Sequence, residues 1–357
     1  MGICDSRQWL EDIDAVADAL PELRELAGGT IMVTGASGLV CSAVVDVLLR
    51  YNDCHDLPIC VVAAGRDEGK MAERFRAFWG RPYLRFLPYD AQRGGNGLPE
   101  RCDFVIHGAG NAFPGAIVRE PAETMKSNFS GLAELLDHAR TSHVRRVLYV
   151  SSSEVYGKKE DCRPFREEEY GYVDLLDPRS CYPVAKRAAE TLCASYYAEY
   201  GVDSVIVRPG HVYGPTARPG DNRASSVFAY QVARGEDILM KSDGSQLRSY
   251  CYCPDCASAI LKTLLRGGSV RAYNVSSPEM VISVREMAQL MAEAGGVQVI
   301  RGQADSAEQK SYNPMRTSAL DGSRLAALGW KSVFSPREGI AHTVRILSGQ
   351  CGTSEAL

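Results

Sequence analysis

Short apolar runs rich in β-branched residues alternate with segments of helical periodicity along most of the chain. The runs that we predict to be strands are 30–34, 58–63, 84–87, 104–107, 146–150 and 204–207. The helical segments between them are 39–50, 70–79, 122–140 and 183–200. Strand–helix–strand repetition predicts a parallel sheet covered by helices on both faces. Because crossovers are right-handed, we expect a doubly wound α/β fold that binds ligands outside the carboxyl ends of its strands.

The amino-acid composition and the length of the predicted elements change after Pro209, where we predict a second, smaller lobe. Gly, Pro, Arg and Asp are frequent across 214–223, shorter elements come after them, and the strand-like run 272–275 is expected to return to the large sheet. The predicted domains are a dinucleotide-binding domain and a mixed α/β substrate-binding lobe. The first takes residues 30–209 and adds 270–277 to its sheet; the second takes 210–269 and 278–357.

Residues 1–29 predict a helical extension ahead of the sheet, broken or restarted near Pro21. Its apolar residues at helical spacing, among acidic ones, are Leu10, Ile13, Val16, Leu20 and Leu23. We expect this amphipathic helix to pack onto the domain behind it, with contact to a partner subunit as the alternative. The extension has no secretory signal pattern, and no stretch reaches the roughly 18 apolar residues of a membrane span. We therefore expect a cytoplasmic protein without a membrane partner.

The amino-acid composition limits which partners and which bound metals we expect. The chain has 357 residues, of which 45% are hydrophobic and 24% charged, with a formal net charge of -4. The chain lacks the excess of basic residues that would indicate a nucleic-acid partner. The twelve cysteines are scattered, and we expect reduced thiols. Cys251, Cys253 and Cys256 have the spacing of half a zinc site, but nothing completes it, so we interpret them as a strand followed by a turn and predict no metal.

A tight glycine turn follows the first predicted strand and precedes a helix. In Gly35-Ala-Ser37-Gly38-Leu39, the glycines permit positive φ and let a pyrophosphate approach the free N–H groups of the helix. This setting predicts a dinucleotide-binding (Rossmann) domain, with a purely structural turn as the alternative. The third glycine position carries Cys41, which is small enough to allow close helix–strand packing.

The residues at the end of the second predicted strand do not decide between NAD and NADP. Arg66 suits a 2′-phosphate and favours NADP, whereas Asp67 suits a ribose hydroxyl and favours NAD. Asp90, after the third strand, is a candidate for the adenine end or a solvated loop carboxylate. We expect NAD(P), with NAD slightly favoured.

Ser152, Tyr182 and Lys186 form the strongest catalytic candidate. Tyrosine and lysine four residues apart share one helical face, so the ammonium can lie near the phenol. A free tyrosine, with a pKa of about 10, is a poor base at neutral pH. A nearby lysine and a cationic nicotinamide both favour the phenolate. Tyr182 can then take a hydroxyl proton while hydride passes to the nicotinamide, and Ser152 fixes the same oxygen.

Together these motifs resemble an extended short-chain dehydrogenase/reductase of the nucleotide-sugar epimerase/dehydratase family, from Thr30 to nearly the end. Further matching features are His107-Gly-Ala109, Asn128-Phe-Ser-Gly131 after Pro121, the run 151–157, Arg208-Pro-Gly-His-Val-Tyr-Gly-Pro215, Arg248 with Asp255, and Leu328-Gly-Trp330. The resemblance implies bound NAD(P) contacted by Ala109 and Asn128, a nucleoside diphosphate sugar substrate, and transient oxidation at the sugar C4. It also implies a homodimer joined by a four-helix bundle, made by the helices that hold 128–140 and 182–200.

Glu154 bears on the fate of the oxidised sugar. The keto intermediate can be reduced on its other face, lose water across C5 and C6, or lose a C5 carboxylate. We expect Glu154 on the same side of an extended strand as Ser152, where its carboxylate can take a proton from the sugar. The serine–glutamate context resembles UDP-glucuronate decarboxylases and GDP-mannose 4,6-dehydratases, and the run that begins at Pro178 resembles the decarboxylase branch most. A salt-bridged structural carboxylate is the alternative.

The expected substrate contacts are Ser153, His211, Arg248 and Arg316. Arg248 matches the family position that reaches the diphosphate, where an arginine fork gives bidentate contacts. Arg316 is a second candidate, with a plain surface arginine as its alternative. His211 stands where the family frequently has asparagine, which indicates an unusual sugar or acceptor.

Three function classes are compatible with the sequence alone. The leading one is a nucleotide-sugar decarboxylase or 4,6-dehydratase, with a 4-epimerase as its variant. A net NADP-dependent dehydrogenase or reductase of a small alcohol is the second, supported by Arg66 and opposed by Arg248. A cofactor-sensing binding protein is the third; such proteins typically lose the tyrosine or lysine, whereas this chain keeps both.

Overall fold

The computed structural model describes residues 2–95, 97–303 and 315–351. Its strands are β1 (Thr30–Thr34), β2 (Cys60–Gly65), β3 (Leu84–Pro88), β4 (Phe104–His107), β5 (Arg146–Val150), β6 (Ser204–Pro209), β7 (His211–Tyr213), β8 (Ile238–Met240), β9 (Leu247–Tyr252), β10 (Ala272–Val275), β11 (Val281–Ser283), β12 (Val299–Arg301) and β13 (Thr317–Ser318). Its helices are α1 (Arg7–Asp18), α2 (Cys41–Asp53), α3 (Glu68–Arg74), α4 (Pro114–Arg119), α5 (Pro121–Thr141), α6 (Cys181–Tyr200), α7 (Ala224–Ala233), α8 (Cys253–Arg266), α9 (Val284–Gly295), α10 (Ser323–Ala326) and α11 (Pro336–Cys351).

A seven-stranded parallel sheet in the order β10-β6-β5-β4-β1-β2-β3 forms the centre of the molecule. Successive side chains of a strand point to opposite faces, so Ile31 and Val33 join the core cluster on one face, whereas Met32 joins the cluster on the other. Both clusters are apolar because helices cover both faces. The doubly wound fold and the return of β10 to the large sheet are therefore confirmed.

Two smaller sheets come after β6 in the chain. In one, β9 pairs with β7 and β13 in parallel and with β11 antiparallel; in the other, β8 pairs with β12. Helices α7, α9 and α11 pack on one another beside them. This arrangement is the mixed α/β architecture expected after Pro209. The exact borders of the two lobes remain a prediction, and residues 304–314 and 352–357 of the second lobe lie outside the described residues.

The N-terminal extension packs on the dinucleotide half, as expected. Helix α1 ends before Pro21, which opens a short 3-10 helix (Pro21–Leu26). Trp9 is buried and its indole N–H donates to Asp46 Oδ2 at 2.9 Å. Asp46 is also paired with Arg74, so the buried carboxylate has two donors. Glu22 pairs with Lys262 of α8 and ties the extension to a second helix.

Two local predictions differ from the structure. Helix α3 ends at Arg74 and does not continue to 79, because the chain turns after Phe75 and Gly80 adopts a φ of +85°. The cysteine segment 251–256 is a strand that runs directly into α8, not into a turn. Its thiols are buried, and all twelve cysteines are free. Among the described helices, none combines the length and the apolar character that crossing a membrane requires.

Candidate active site

A cleft of about 510 Å³ lies at the carboxyl edge of the large sheet. The predicted site residues that line it are Gly35, Ser37, Gly38, Leu39, Arg66, Asp90, Ala109, Asn128, Ser152, Ser153, Glu154, Tyr182, Lys186 and His211. Parallel strands end at the same edge, so residues far apart in the chain meet there. Three predicted residues, Asp67, Arg248 and Arg316, do not line it.

The glycine turn, residues 35–38, leaves an open space that side chains at the glycine positions would fill; we call it the glycine cradle. Gly35 has a φ of +68°, and a Cβ on it would lie 3.0 Å from the main chain of Ala109. Helix α2 begins without a side-chain cap, and its first residue, Cys41, lines the cleft, where the positive end of the helix dipole favours an anion. Gly108 explains the cysteine at the third glycine position, since a Cβ on residue 108 would collide with Cys41 Sγ.

Asn128 offers an unused acceptor to this side of the cleft. Its side-chain nitrogen donates to Asn111 O at 3.1 Å and to Thr124 O at 2.8 Å. Its Oδ1 is buried and has no hydrogen-bond partner among the described residues. A buried orphan acceptor is costly without a ligand, so its position fits a dinucleotide that brings a donor.

The two candidates after the second strand take different places in the structure. Arg66 lines the cleft, whereas Asp67 caps α3 by accepting from the Lys70 main-chain N–H at 2.9 Å. That hydrogen bond lowers the pKa of Asp67. The carboxylate of Asp67 thus caps a local helix, and its ribose contact stays a prediction. Asp90 lines the cleft and accepts from Gln92 N at 3.1 Å.

The predicted serine, tyrosine and lysine come together in the cleft. Tyr182 lies in the first turn of α6, and Lys186 comes one turn later on the same face. Lys186 Nζ donates to Val150 O at 2.8 Å and lies 5.7 Å from the centroid of the Tyr182 ring. The Ser152 side chain is hydrogen-bonded to the Tyr182 phenol. Strand β5 thus positions both the serine and the lysine.

Burial dominates the titration of this group. It raises the pKa of Tyr182 to about 12, and the charge of Glu154 adds to that effect, whereas Ser152, Arg223 and Arg179 oppose it. Burial likewise lowers the pKa of Lys186 to about 7, against the charge of Glu190. The lowering of the Tyr182 pKa by Lys186 together with a cationic nicotinamide stays a prediction.

Glu154 faces the cleft from a different local structure than expected. A 3-10 helix (Ser153–Tyr156) begins directly after Ser152, which caps it by accepting from Glu154 N at 3.2 Å. The extended strand that we predicted is therefore wrong, although both side chains still line the cleft. Arg179 donates from Nη1 to Glu154 Oε2 at 3.0 Å and from Nη2 to Oε1 at 3.1 Å. Glu154 is thus both a cleft residue and a salt-bridged carboxylate.

The predicted substrate residues divide into two groups. Ser153 and His211 line the cleft, and burial lowers the pKa of His211 to about 3, helped by the charges of Arg248 and Arg223. Arg248 is buried and does not line the cleft. It donates to the main-chain oxygens of Met315 at 2.8 Å, Leu247 at 2.9 Å and Arg316 at 3.4 Å.

The Arg316 side chain is exposed and stands away from the cleft. The diphosphate contacts of Arg248 and Arg316 stay predictions. The guanidinium of Arg248 is used to hold the chain beside β13, and its burial lowers its pKa.

Three cleft arginines were not predicted from the sequence. Arg179 stands in the run after Pro178 that carries the resemblance, but nothing in that run indicates a role for its side chain. Arg218 and Arg223 lie in the arginine-containing stretch 214–223. Arg218 Nη2 donates to Ser37 Oγ at 3.3 Å across the cleft, and Arg223 Nε donates to Asp221 at 3.0 Å. Only the clustering of arginine in that stretch could have signalled them.

Known proteins resemble this chain along most of its length. It is 28% identical to UDP-glucuronic acid decarboxylase 6 of Arabidopsis thaliana over 316 residues, which cover 87% of this chain and 86% of the relative. It is also 28% identical to UDP-glucuronic acid decarboxylase 1 of Xenopus tropicalis, over 88% of this chain and 71% of that protein.

Solved structures share the fold. UDP-glucose 4-epimerase of Thermotoga maritima superposes with a TM-score of 0.75 at 24% identity, covering 90% of this chain and 99% of the other. The dTDP-glucose 4,6-dehydratase DesIV of Streptomyces venezuelae gives 0.75 at 23% identity, covering 91% and 98%. The model of the NAD dependent epimerase/dehydratase family matches residues 31–276, which include the glycine turn, Ser152, Tyr182 and Lys186. On this match, the chain belongs to the NAD dependent epimerase/dehydratase family.

Proposed function

We propose that the protein is a nucleotide-sugar decarboxylase that oxidises the C4 hydroxyl of a UDP-glucuronate-type substrate transiently. The observation that carries the proposal is the carboxylate of Glu154, which lies in the cleft with Ser152 and Tyr182. The two decarboxylases from Arabidopsis and Xenopus support the choice, since they align along most of the chain.

The residues present fit NAD. The glycine cradle and the N-terminus of α2 would hold its pyrophosphate, and Asn128 Oδ1 could accept from a donor group elsewhere on NAD. Arg66 and Asp90 line the same cleft and would face its adenosine end. When bound, NAD would supply the hydride acceptor for C4 of the sugar and the donor for the return of that hydride. The other tasks fall to side chains of this protein.

Tyr182 would take the proton of the C4 hydroxyl as the hydride leaves. Ser152 is hydrogen-bonded to the same phenol, so it can hold the sugar oxygen between them. The Lys186 ammonium stands near the ring and would stabilise the phenolate, while Val150 O fixes its direction. This division of tasks explains why all three residues lie at one edge of the sheet.

The pairing of Glu154 favours decarboxylation over dehydration. Loss of water across C5 and C6 needs a base that removes the C5 proton. Loss of carbon dioxide needs none, because the C5–C6 bond leaves its electron pair in the enolate of the C4 ketone. That enolate then takes a proton from water at C5. Both oxygens of Glu154 already accept hydrogen bonds from Arg179, which favours an orienting role in which Glu154 accepts from a sugar hydroxyl.

The test is to incubate the purified protein with UDP-glucuronate, UDP-glucose, dTDP-glucose and GDP-mannose and to weigh the products by mass spectrometry. Loss of carbon dioxide from UDP-glucuronate is the expected result. Loss of water from a neutral sugar would replace decarboxylase by dehydratase. Unchanged mass with altered stereochemistry would mean an epimerase and remove the role of Glu154. Stoichiometric consumption of free NADPH would contradict the proposal as a whole.

We also infer a homodimer built on α5 and α6. The two helices pack side by side, and Tyr196 of α6 donates to Asp137 of α5 at 2.9 Å. Their outer surface carries exposed apolar side chains, with Tyr197 at 46% and Tyr200 at 44% exposure. Light scattering should give twice the monomer mass, and Tyr197→Glu should shift the protein towards monomer. A wild-type monomer at micromolar concentration would refute the dimer.

A further inference from the structure

The ion pair of Arg179 and Glu154 forms part of the wall between two cavities. Both residues line the main cleft and also a second cavity of about 60 Å³ behind it. The pair is largely shielded from solvent, with side-chain exposures of 13% for Arg179 and 19% for Glu154. A pair in such a place is screened little by salt and is held more tightly than a surface pair.

The local backbone aims Arg179 at this wall. It lies in a 3-10 helix (Pro178–Ser180) that leads directly into α6, and Asp177 caps that helix by accepting from Arg179 N at 2.9 Å. The two terminal nitrogens of the guanidinium both donate to Glu154, and its Nε is buried without a partner among the described residues. The guanidinium therefore holds Glu154 through a fork that lysine cannot reproduce.

Opposite charges meet beside the proposed base. The charged and titratable groups that act on Tyr182 from the surrounding elements are Glu154, Arg179, Lys186, Tyr149 and Arg223, the last paired with Asp221. Glu154 raises the pKa of Tyr182, whereas Arg179 and Arg223 lower it. A lone carboxylate at this position would hinder formation of the phenolate, which the reaction requires.

We propose that Arg179 is a positioning residue, which fixes the Glu154 carboxylate on the cleft wall and balances the negative charge that Glu154 places beside Tyr182. It allows one cleft to hold both a carboxylate for the sugar and a tyrosine that must become anionic. The proposal rests on the proposed function only in taking Tyr182 as the base. It does not depend on which sugar is bound or which product leaves.

The test follows the Tyr182 phenol directly, with a fluorinated tyrosine incorporated at position 182 of the full chain and observed by fluorine NMR. Arg179→Gln should raise the titration midpoint of that residue by about one pH unit, since an opposing charge is lost. Glu154→Gln should lower the midpoint. The double variant should return it close to that of the parent protein, because both members of the balanced pair are absent.

Arg163→Gln is the matched control. It breaks another arginine–carboxylate pair, in which Arg163 donates to Asp161 at 2.9 Å and 3.2 Å, on an exposed loop outside the cleft. The Tyr182 midpoint should not move in this variant. Arg179→Lys keeps the charge but not the fork, so its midpoint should stay near that of the parent while kcat falls and KM changes little.

An unchanged midpoint in Arg179→Gln would overturn the proposal, and so would a double variant that resembles Arg179→Gln alone. If Arg179→Gln does not fold, Glu154→Gln still decides, because a midpoint that fails to fall refutes the charge balance. If no nucleotide sugar is turned over, the proposed function fails while the fluorine titration still reports on Arg179. The two failures are therefore distinguishable.

Discussion

The two walls of the cleft are built in different ways. The strand-end wall, made by Gly35, Gly38, Ala109 and Ser152, consists of residues that directly follow β1, β4 and β5. Parallel pairing brings these strand ends to one edge, with Thr34 beside His107 and His107 beside Tyr149. The position of each residue is therefore fixed by a strand that its own neighbours in sequence form.

The lobe wall is made by His211 of β7 and by Arg218 and Arg223, which lie on the loop between β7 and α7. Arg218 reaches Ser37 on the opposite side of the cleft, and Arg223 is turned by its pair with Asp221. Loops of this kind carry specificity because they can change without disturbing the sheet. The comparison teaches that the large sheet positions the residues of the oxidation chemistry. Substrate choice depends instead on side chains that the large sheet does not position.

The largest expected effect concerns Tyr182, the proposed base, which is hydrogen-bonded to Ser152 of the strand-end wall. Tyr182→Phe removes the proposed proton acceptor and should lower turnover by about 10²- to 10⁴-fold while leaving NAD binding intact. Steady-state kinetics and fluorescence titration of NAD measure the two effects. Tyr83→Phe, a change of the same type beside β3, should leave both unchanged. Full turnover in Tyr182→Phe would refute the chemistry assigned to this wall.

The second prediction sharpens the role of the glycine cradle. Gly35→Ala places a Cβ 3.0 Å from the main chain of Ala109 and strains a φ of +68°, so NAD affinity should fall about tenfold or more. Gly80→Ala is the control, since Gly80 has a φ of +85° with nothing within 4 Å. Gly80→Ala should lower the free energy of unfolding and leave the NAD affinity unchanged. Equal losses of NAD affinity in both would show that strain alone matters.

The third prediction asks whether Arg248 belongs to the lobe wall after all. Its guanidinium is buried and bound to three main-chain oxygens, so Arg248→Gln should reduce the free energy of unfolding by about 1–3 kcal/mol. Chemical denaturation measures this loss. Arg316→Gln, which removes an exposed neighbour, should cost little. A raised KM with unchanged stability would instead place Arg248 on the substrate.

The smallest expected effect concerns pH. Burial lowers the pKa of Lys186 to about 7 from an ordinary value of 10.5, so the unfolded chain binds the proton more tightly between those values. The Lys186 contribution to stability should therefore rise as pH increases from about 7 towards 10.5. Melting temperatures of the wild type and Lys186→Met across this range give the difference. A difference that does not grow in favour of the wild type would contradict the buried, depressed lysine.

The same contrast explains which features the sequence could predict. The large sheet, its glycine turn and the tyrosine–lysine face of α6 were predictable, because each depends on periodicity or on turn chemistry within a few residues. Glu154 was placed in the cleft for the wrong reason, since the Ser152 cap bends the chain into a 3-10 helix where alternation predicts a strand.

The sequence was least informative for side chains that find partners within the protein. Asp67 has a helix to cap, and Arg248 binds carbonyl oxygens more than sixty positions away in the chain. Arg179 and Arg218 were missed because the sequence alone does not show which carboxylate or hydroxyl an arginine will meet. Side chains with several possible partners are assigned by tertiary structure, and local pattern does not choose between them.

The central claim is that one cleft oxidises C4 transiently and then releases carbon dioxide. The most direct measurement uses UDP-glucuronate with deuterium at C4 and follows the label in the product by mass spectrometry. We predict a product that has lost carbon dioxide and keeps the deuterium at C4, because the hydride returns from bound NAD to the same carbon. A decarboxylated product without the deuterium, or deuterium in an unchanged carbon skeleton of inverted C4 configuration, would contradict this claim.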